Sequence, residues 1–439
     1  DLKLTNEELD AVKTQVGKAR TTVFKKGIIP KTIAKGKPTL FKNALEKEFS
    51  KELFKIVKTK LNKMPEGYRK FITSKKGFDL YSDFSKKIIL NNKNISKFLN
   101  KKFKFKKKFK STDLLIGFFS YEILNNLIGV KLPKQKSINF PKGIFYKPET
   151  KISLKENLFY QSSSINKVNK NFKININQNS YTRIFNRFKK KIRSGETYQI
   201  KICTKYKNKS KIDPLDFFCR LSKTNLAPEA FMIKDKNFSI ISCSPENLIT
   251  KNGLSISTKP IAGTLRKTKK INKMKALNFF KNNIKETKEH NMIVDMERND
   301  LSRICKPGSV KLKKEKTVEE YKDLYHYVSL ITGKLKKNMK NIDIIKAMMP
   351  GGSVIGCPKI STLNLLNNQE KENRNIYTGS FGFIKFNGDM RFNIIIRSIL
   401  NYKNISEISV ASGVVIDSNA KHEFNENFIK AKALIDLYK

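Results

Sequence analysis

The chain has 439 residues, 39% of them hydrophobic, enough for one large core or two smaller ones, and no apolar run approaches the ~20 residues that span a bilayer. Five scattered cysteines (203, 219, 243, 305 and 357) form no CxxC pair, which argues against a zinc site or disulfide framework and predicts a reducing, cytoplasmic setting. The formal charge of +53 invites a nucleic-acid reading, but lysine is spread along nearly the whole chain rather than gathered in one stripe, which makes that a distant alternative.

The N-terminal DLKLTNEELDAVKTQ is polar and mixed in charge and does not read as a signal peptide. Residues 1–110 form a basic, weakly patterned region in which Asn6–Val16 and Leu40–Leu61 are predicted helices. Its last part, KKFKFKKKFKS, alternates Phe with Lys as an edge strand does when lysine blocks pairing. The same interleaving also suits a phosphate backbone. LLIGFFSYEIL predicts a buried strand entering a helix, and residues 131–167 read as short strands and loops. Ser180–Ser194 is an amphipathic helix closed by Gly195, and TYQIKICTKY alternates as a strand.

Further on, strands lead to SPENLIT, a turn at Gly253 and ISTKPIAGT, and the segment Lys267–Asp300 reads as helical. YKDLYHYVSLITGKL is extended or mixed, and MMPGGSVIGCPKISTLNLL is a glycine loop feeding a helix. A hairpin turns at Asn387-Gly388, and HEFNENFIKAKALIDLY is a terminal helix. Strands and helices mix without a regular βαβ beat, so the fold class is α+β.

Two acidic helices stand out in so basic a chain. Glu286 and Glu289 lie three residues apart on one face with His290 adjacent, and Glu423 and Glu426 repeat the spacing with Lys430 a turn beyond. Each alone reads as a solvated face. Two carboxylate pairs beside glycine-rich loops suit a hard cation held by few protein oxygens, which is magnesium's habit. His326, on an apolar stretch, is either a satisfied core histidine or an acid–base group. Gly351, Gly352 and Gly356 offer backbone N–H groups to an anion, a weak signal by itself. Arg397, ending the apolar strand FNIIIRS, is expensive unless paired, and a substrate carboxylate would pair it.

With these residues assembled, the chain resembles the chorismate-binding enzymes, the anthranilate synthase component I and aminodeoxychorismate synthase component I type. SPENL, KPIAGT, EHNMIVDMERNDLSRICKPGSV, PGGSVIGCPK, YTGSFGF, IIIRS and SGVVIDS occur in that family's order from about Tyr181 onward. The resemblance implies a large two-layered antiparallel-sheet core flanked by helices, with residues 111–175 finishing an N-terminal domain and 176–439 forming the catalytic domain. It implies Mg2+ held by Glu289 and Glu426 with Glu286 and Glu423 in support, gripping the ring carboxylate of chorismate. It further implies substrate contacts from Gly263, Ser353, Tyr377, Arg397, Gly413 and Lys430. Thr264 would line the pocket, and His326 would stand near the leaving hydroxyl.

Two positions bear on the branch. Isochorismate and salicylate synthases carry a water-activating lysine where Gln199 stands, so the resemblance implies ammonia as nucleophile. Many aminodeoxychorismate synthases carry a nucleophilic lysine where Ala262 stands, and alanine suits the anthranilate branch. PGGS, YTGS and the absence of an LLES-type segment point instead to 4-amino-4-deoxychorismate as product, with anthranilate plus pyruvate as the alternative. Lys259, Leu265 and Ala420 depart from the usual pattern without touching the carboxylates. No glutaminase half is recognised, so the resemblance implies a separate glutamine amidotransferase subunit supplying ammonia.

Overall fold

The computed structural model describes residues 70–74, 78–100, 109–130, 140–154, 168–225, 227–268, 271–321 and 324–438. The expected helices at Asn6–Val16 and Leu40–Leu61, and most of the Phe–Lys run from Lys101, lie outside these residues. Antiparallel pairing runs unbroken from Lys173–Ile174 through Gln199–Lys209, Ile405–Val414, Ser398–Tyr402, Phe238–Ser244 and Glu229–Lys234. It passes on through Lys70–Ser74, Phe78–Ile89, Gly143–Leu154, Leu114–Phe119 and Ser380–Lys385. Met390–Asn393, Asn247–Asn252, Ser255–Lys259 and Leu324–Lys334 follow, and Ile261–Arg266 and Lys311–Glu320 both pair with the last of these.

This continuous sheet doubles back on itself. Phe231, from its first half, stacks on Phe381, from its second, with ring centroids 3.8 Å apart. Both belong to one buried cluster with Phe118, Tyr146 and Ile240, so the two halves are the two layers. The sheet also joins strands on either side of residues 175 and 176, where the sequence placed a domain boundary.

Helices cover the layers where the sequence supplies an apolar stripe. Gln178–Arg193 buries Tyr181, Ile184, Phe185 and Phe188, the spacing of one helical face. Asn177 caps its start by accepting from Ser180 N at 2.9 Å, and Lys190, Lys191 and Arg193 complement the dipole at its end. The helical segment expected over Lys267–Asp300 is two helices, Lys273–Asn282 and Ile284–Ile304. They part at Asn283, whose side chain caps the second by accepting from Glu286 N. YKDLYHYVSLITGKL resolves into the strand Leu324–Lys334. The Asn387-Gly388 turn is as expected, with Gly388 at φ +87 and Asn387 Oδ1 accepting from Asp389 N. Among the described residues, no helix is long and apolar enough to cross a membrane.

Candidate functional site

Several segments converge on a cavity of about 890 Å³. Among them are the Gln199 strand, the KPIAGT strand, the helix Ile284–Ile304, the bend at Arg397, and the C-terminal helix Ala420–Ile435 with the strand before it. Both acidic helices turn their carboxylates into it, Glu286 and Glu289 from one and Glu423 and Glu426 from the other. Each helix starts on an asparagine cap. Asn419 accepts from Lys421 N and His422 N, which fixes the first turn where Glu423 sits.

The carboxylates are not equivalent. Glu289 Oε1 accepts from Gln199 Nε2 at 2.8 Å and from Lys201 Nζ at 2.9 Å. The Lys201 ammonium, aided by these hydrogen bonds, outweighs burial and holds the Glu289 carboxyl down at about 2. Burial raises Glu426, but its ion pair with Lys430 at 2.6 Å and a hydrogen bond with Glu423 bring the net below the usual range. Two carboxylates in hydrogen-bonding reach share a proton or a cation. Ligand atoms of His422, Glu423 and Glu426 all lie within 4.8 Å of one another, and the two carboxylates among them suit a hard divalent ion.

Glycine makes the room. Gly263 sits at φ +86, and a Cβ there would lie 2.8 Å from Glu286 Oε2 and from Phe280 Cε1. Gly413 pairs across the sheet with Lys201, and a Cβ on it would meet Lys201 Nζ at 2.7 Å and Gln199 Nε2 at 2.9 Å. The PGGS loop does something other than cradle an anion. A Cβ at Gly352 would stand 1.8 Å from Met296 Cε, one at Gly351 would stand 2.4 Å from Ile394 Cδ1, and Gly352 N already donates to Glu297 Oε1. Close packing, rather than free N–H groups, explains Gly351 and Gly352. Gly356, at φ +130, lies under the backbone of Gln199.

Arg397 is not at a strand end. The strand stops at Asn393, and residues 394–397 leave the ladder, with Arg397 at φ +51. Serine hydroxyls replace the lost ladder bonds: Ser244 donates to Ile394 O at 2.5 Å, and Ser242 and Ser398 both donate to Ile396 O. The bend delivers the guanidinium to the cavity, where no ion pair holds it among the described residues. Burial lowers its pKa. Tyr377, Ser353 and Ala262 complete the walls near it.

His326 does not line the cavity. It is buried beside the cavity wall as the cross-strand partner of Thr264, with Nδ1 3.0 Å from Thr264 Oγ1, and burial together with Arg397 pushes it down to about 3. The ring is thereby held in its neutral form and pairs with the Thr264 hydroxyl, which lines the cavity wall. His290 is a core histidine bonded to Ser329 Oγ at 2.7 Å.

Residues 61–436 match the family described as chorismate binding enzyme. The chain belongs to the chorismate binding enzyme family. Aminodeoxychorismate synthase component 1 of Bacillus subtilis (strain 168) is 36% identical over 258 residues, 58% of this chain and 55% of that protein, so this chain spans about half of that relative's length. Anthranilate synthase component 1 of Saccharolobus solfataricus is 32% identical over 333 residues, 73% of this chain and 79% of that protein. The crystal structure of anthranilate synthase component I from Streptococcus pneumoniae TIGR4 shares the fold with a TM-score of 0.67 at 23% identity, covering 85% of this chain and 93% of that one.

Within this family member, two site residues escaped the sequence reading. Glu246 of SPENL lines the cavity while 4% exposed, and burial, partly offset by a hydrogen bond from Ile261 N, raises it to about 7. SPENL itself was visible, but nothing in a lone glutamate reports its burial. Lys201 was hidden as one more lysine among many. A second cavity, of about 520 Å³, lies against the helix Gln178–Arg193, away from these carboxylates. Its acids Glu370 and Glu372 are paired with Arg374 and Lys207.

Proposed function

We propose that the chain aminates chorismate with ammonia in a magnesium-dependent reaction, giving 4-amino-4-deoxychorismate. The observation that carries this reading is the environment of Gln199. Its amide donates to Glu289 and has no basic nitrogen with which to deprotonate water. Lys201, two residues along, does not fill that role. Burial lowers its pKa, but the Glu289 carboxylate more than compensates and keeps it a protonated ammonium. A site without a free base favours a nucleophile that attacks as a neutral amine.

Glu289, Glu426, Glu286 and Glu423 would hold the magnesium ion, which when bound supplies Lewis-acid charge next to a substrate carboxylate. Arg397 is open to pair bidentately with a carboxylate of chorismate, and Lys430 stands at the mouth of the same cavity. Glu246 holds its proton close to neutral pH, which fits it to protonate a departing hydroxyl. Thr264, fixed by His326, offers an oriented hydroxyl on the adjoining wall. Ammonia would come from a glutamine amidotransferase partner, with free ammonium substituting at high concentration.

Ala262 favours a second reading, anthranilate synthase, since the cavity wall carries no nucleophilic amine at that point. The deciding experiment incubates purified protein with magnesium, chorismate and ammonium and identifies the product by mass and fluorescence. Aminodeoxychorismate supports the first reading, and anthranilate with pyruvate the second. No amino product from folded protein would sink both.

A further inference from the structure

Lys201 has no task in the scheme above, yet it stands among the acids a divalent cation would need. It leaves the Gln199 strand on the same face as Gln199, and both side chains end on the one oxygen, Glu289 Oε1. It lines the same cavity as Glu423 and Glu426 of the C-terminal helix and lies in their field, so acids from both helices act on it. Bare Gly413 beside it leaves the space it occupies. The side chain is 12% exposed, and that exposure opens on the cavity. Gathering carboxylates from two helices costs repulsion and desolvation, and a fixed ammonium at their centre offsets both. A divalent ion that takes Glu289 must break this pair.

We propose that Lys201 is a built-in counter-cation that holds Glu289 in the metal-free protein and competes with the divalent ion for it. The inference rests on the metal-dependent reading above. Once displaced, the ammonium has the cavity to turn into, where an anionic substrate receives it. Metal alone therefore binds weakly, and metal and substrate bind each other's complexes more tightly, a coupling that must be reciprocal.

The test uses the full chain and Mn2+ as the probe, titrated by calorimetry or electron paramagnetic resonance with and without chorismate. Lys201→Met should bind Mn2+ roughly ten-fold more tightly without chorismate, the scale of removing one nearby unit charge from a partly screened site. Chorismate should then add less to Mn2+ affinity than it does in the wild type. Lys201→Arg keeps the charge and should stay near wild type. Lys201→Gln is a second neutral variant, and the rise in Tm on adding Mn2+ should exceed the wild-type rise in both neutral variants. Equal or weaker Mn2+ binding by folded Lys201→Met and Lys201→Gln overturns the inference and leaves the metal reading standing. If no form binds Mn2+, with or without chorismate, the metal reading fails and the inference with it.

Discussion

Replacing Glu246 by Gln separates two consequences of one buried carboxyl. The side chain is raised from 4.5 to about 7, chiefly by burial. Below pH 4.5 folded and unfolded chains both hold the proton, and the group costs nothing. Between pH 4.5 and 7 the unfolded chain releases its proton first, so stability falls as pH rises, and above 7 the loss is complete at ~3 kcal/mol. Glu246→Gln keeps an acceptor for Ile261 N and removes this penalty, so the variant should be more stable than wild type at pH 8, with the difference shrinking toward pH 5. Its turnover should fall by about 10²–10⁴-fold, the usual worth of a positioned proton donor. Wild-type turnover should decline above pH 7, and that limb should vanish in the variant. Paired melts at pH 5 and 8 with a pH–rate profile provide the check. A variant that is less stable at pH 8, or that keeps the limb near 7, would refute a protonated Glu246.

Other changes are expected to act on single parts of the site. Arg397→Ala removes a charge-assisted pairing worth about 2–5 kcal/mol, so kcat/KM should drop roughly 30- to 5,000-fold with little change in Tm; a full-affinity variant would place the substrate carboxylate elsewhere. Gly263→Ala puts a Cβ 2.8 Å from Glu286 Oε2 in a left-handed backbone, where the conformation alone costs about 1–2 kcal/mol, so both Tm and metal affinity should fall. Glu426→Gln should abolish magnesium-dependent turnover while the melt stays within about 1 kcal/mol of wild type, because its pair with Lys430 is half-exposed. Retained activity there would remove Glu426 from the metal site.

Period and punctuation made the outline of this fold readable. The Asn387-Gly388 hairpin, the stripe Tyr181, Ile184, Phe185 and Phe188, and the alternating Gln199 strand carry their geometry in local pattern. The break at Asn283 was not visible, because a capping asparagine inside a long helical pattern looks like any polar residue. In the site, residues within ordered motifs were legible, and Glu286, Glu289, Glu423, Glu426 and Arg397 do meet at one cavity. Depth and direction were less legible. His326 reads as either a core or an acid–base histidine, and only the strand register sets it beside Thr264, while the PGGS loop reads as an anion cradle until Met296 and Ile394 fill the space its missing Cβ atoms leave. Lys201 was masked by composition, since 91 lysines and arginines leave no single one conspicuous.

The serine hydroxyls under the Arg397 bend have a consequence for how this site can change. They contribute almost no volume, so trading Ser242, Ser244 or Ser398 for alanine leaves the packing of the two layers intact. Losing Ser244 takes from Ile394 O its hydroxyl donor, whereas Ile396 O, shared by Ser242 and Ser398, keeps one donor when either is lost, so Ser244 is the more sensitive support of the backbone that leads to Arg397. The presentation of Arg397 to the cavity can thus be tuned from positions that do not line it, by residues so small that the core does not register their loss.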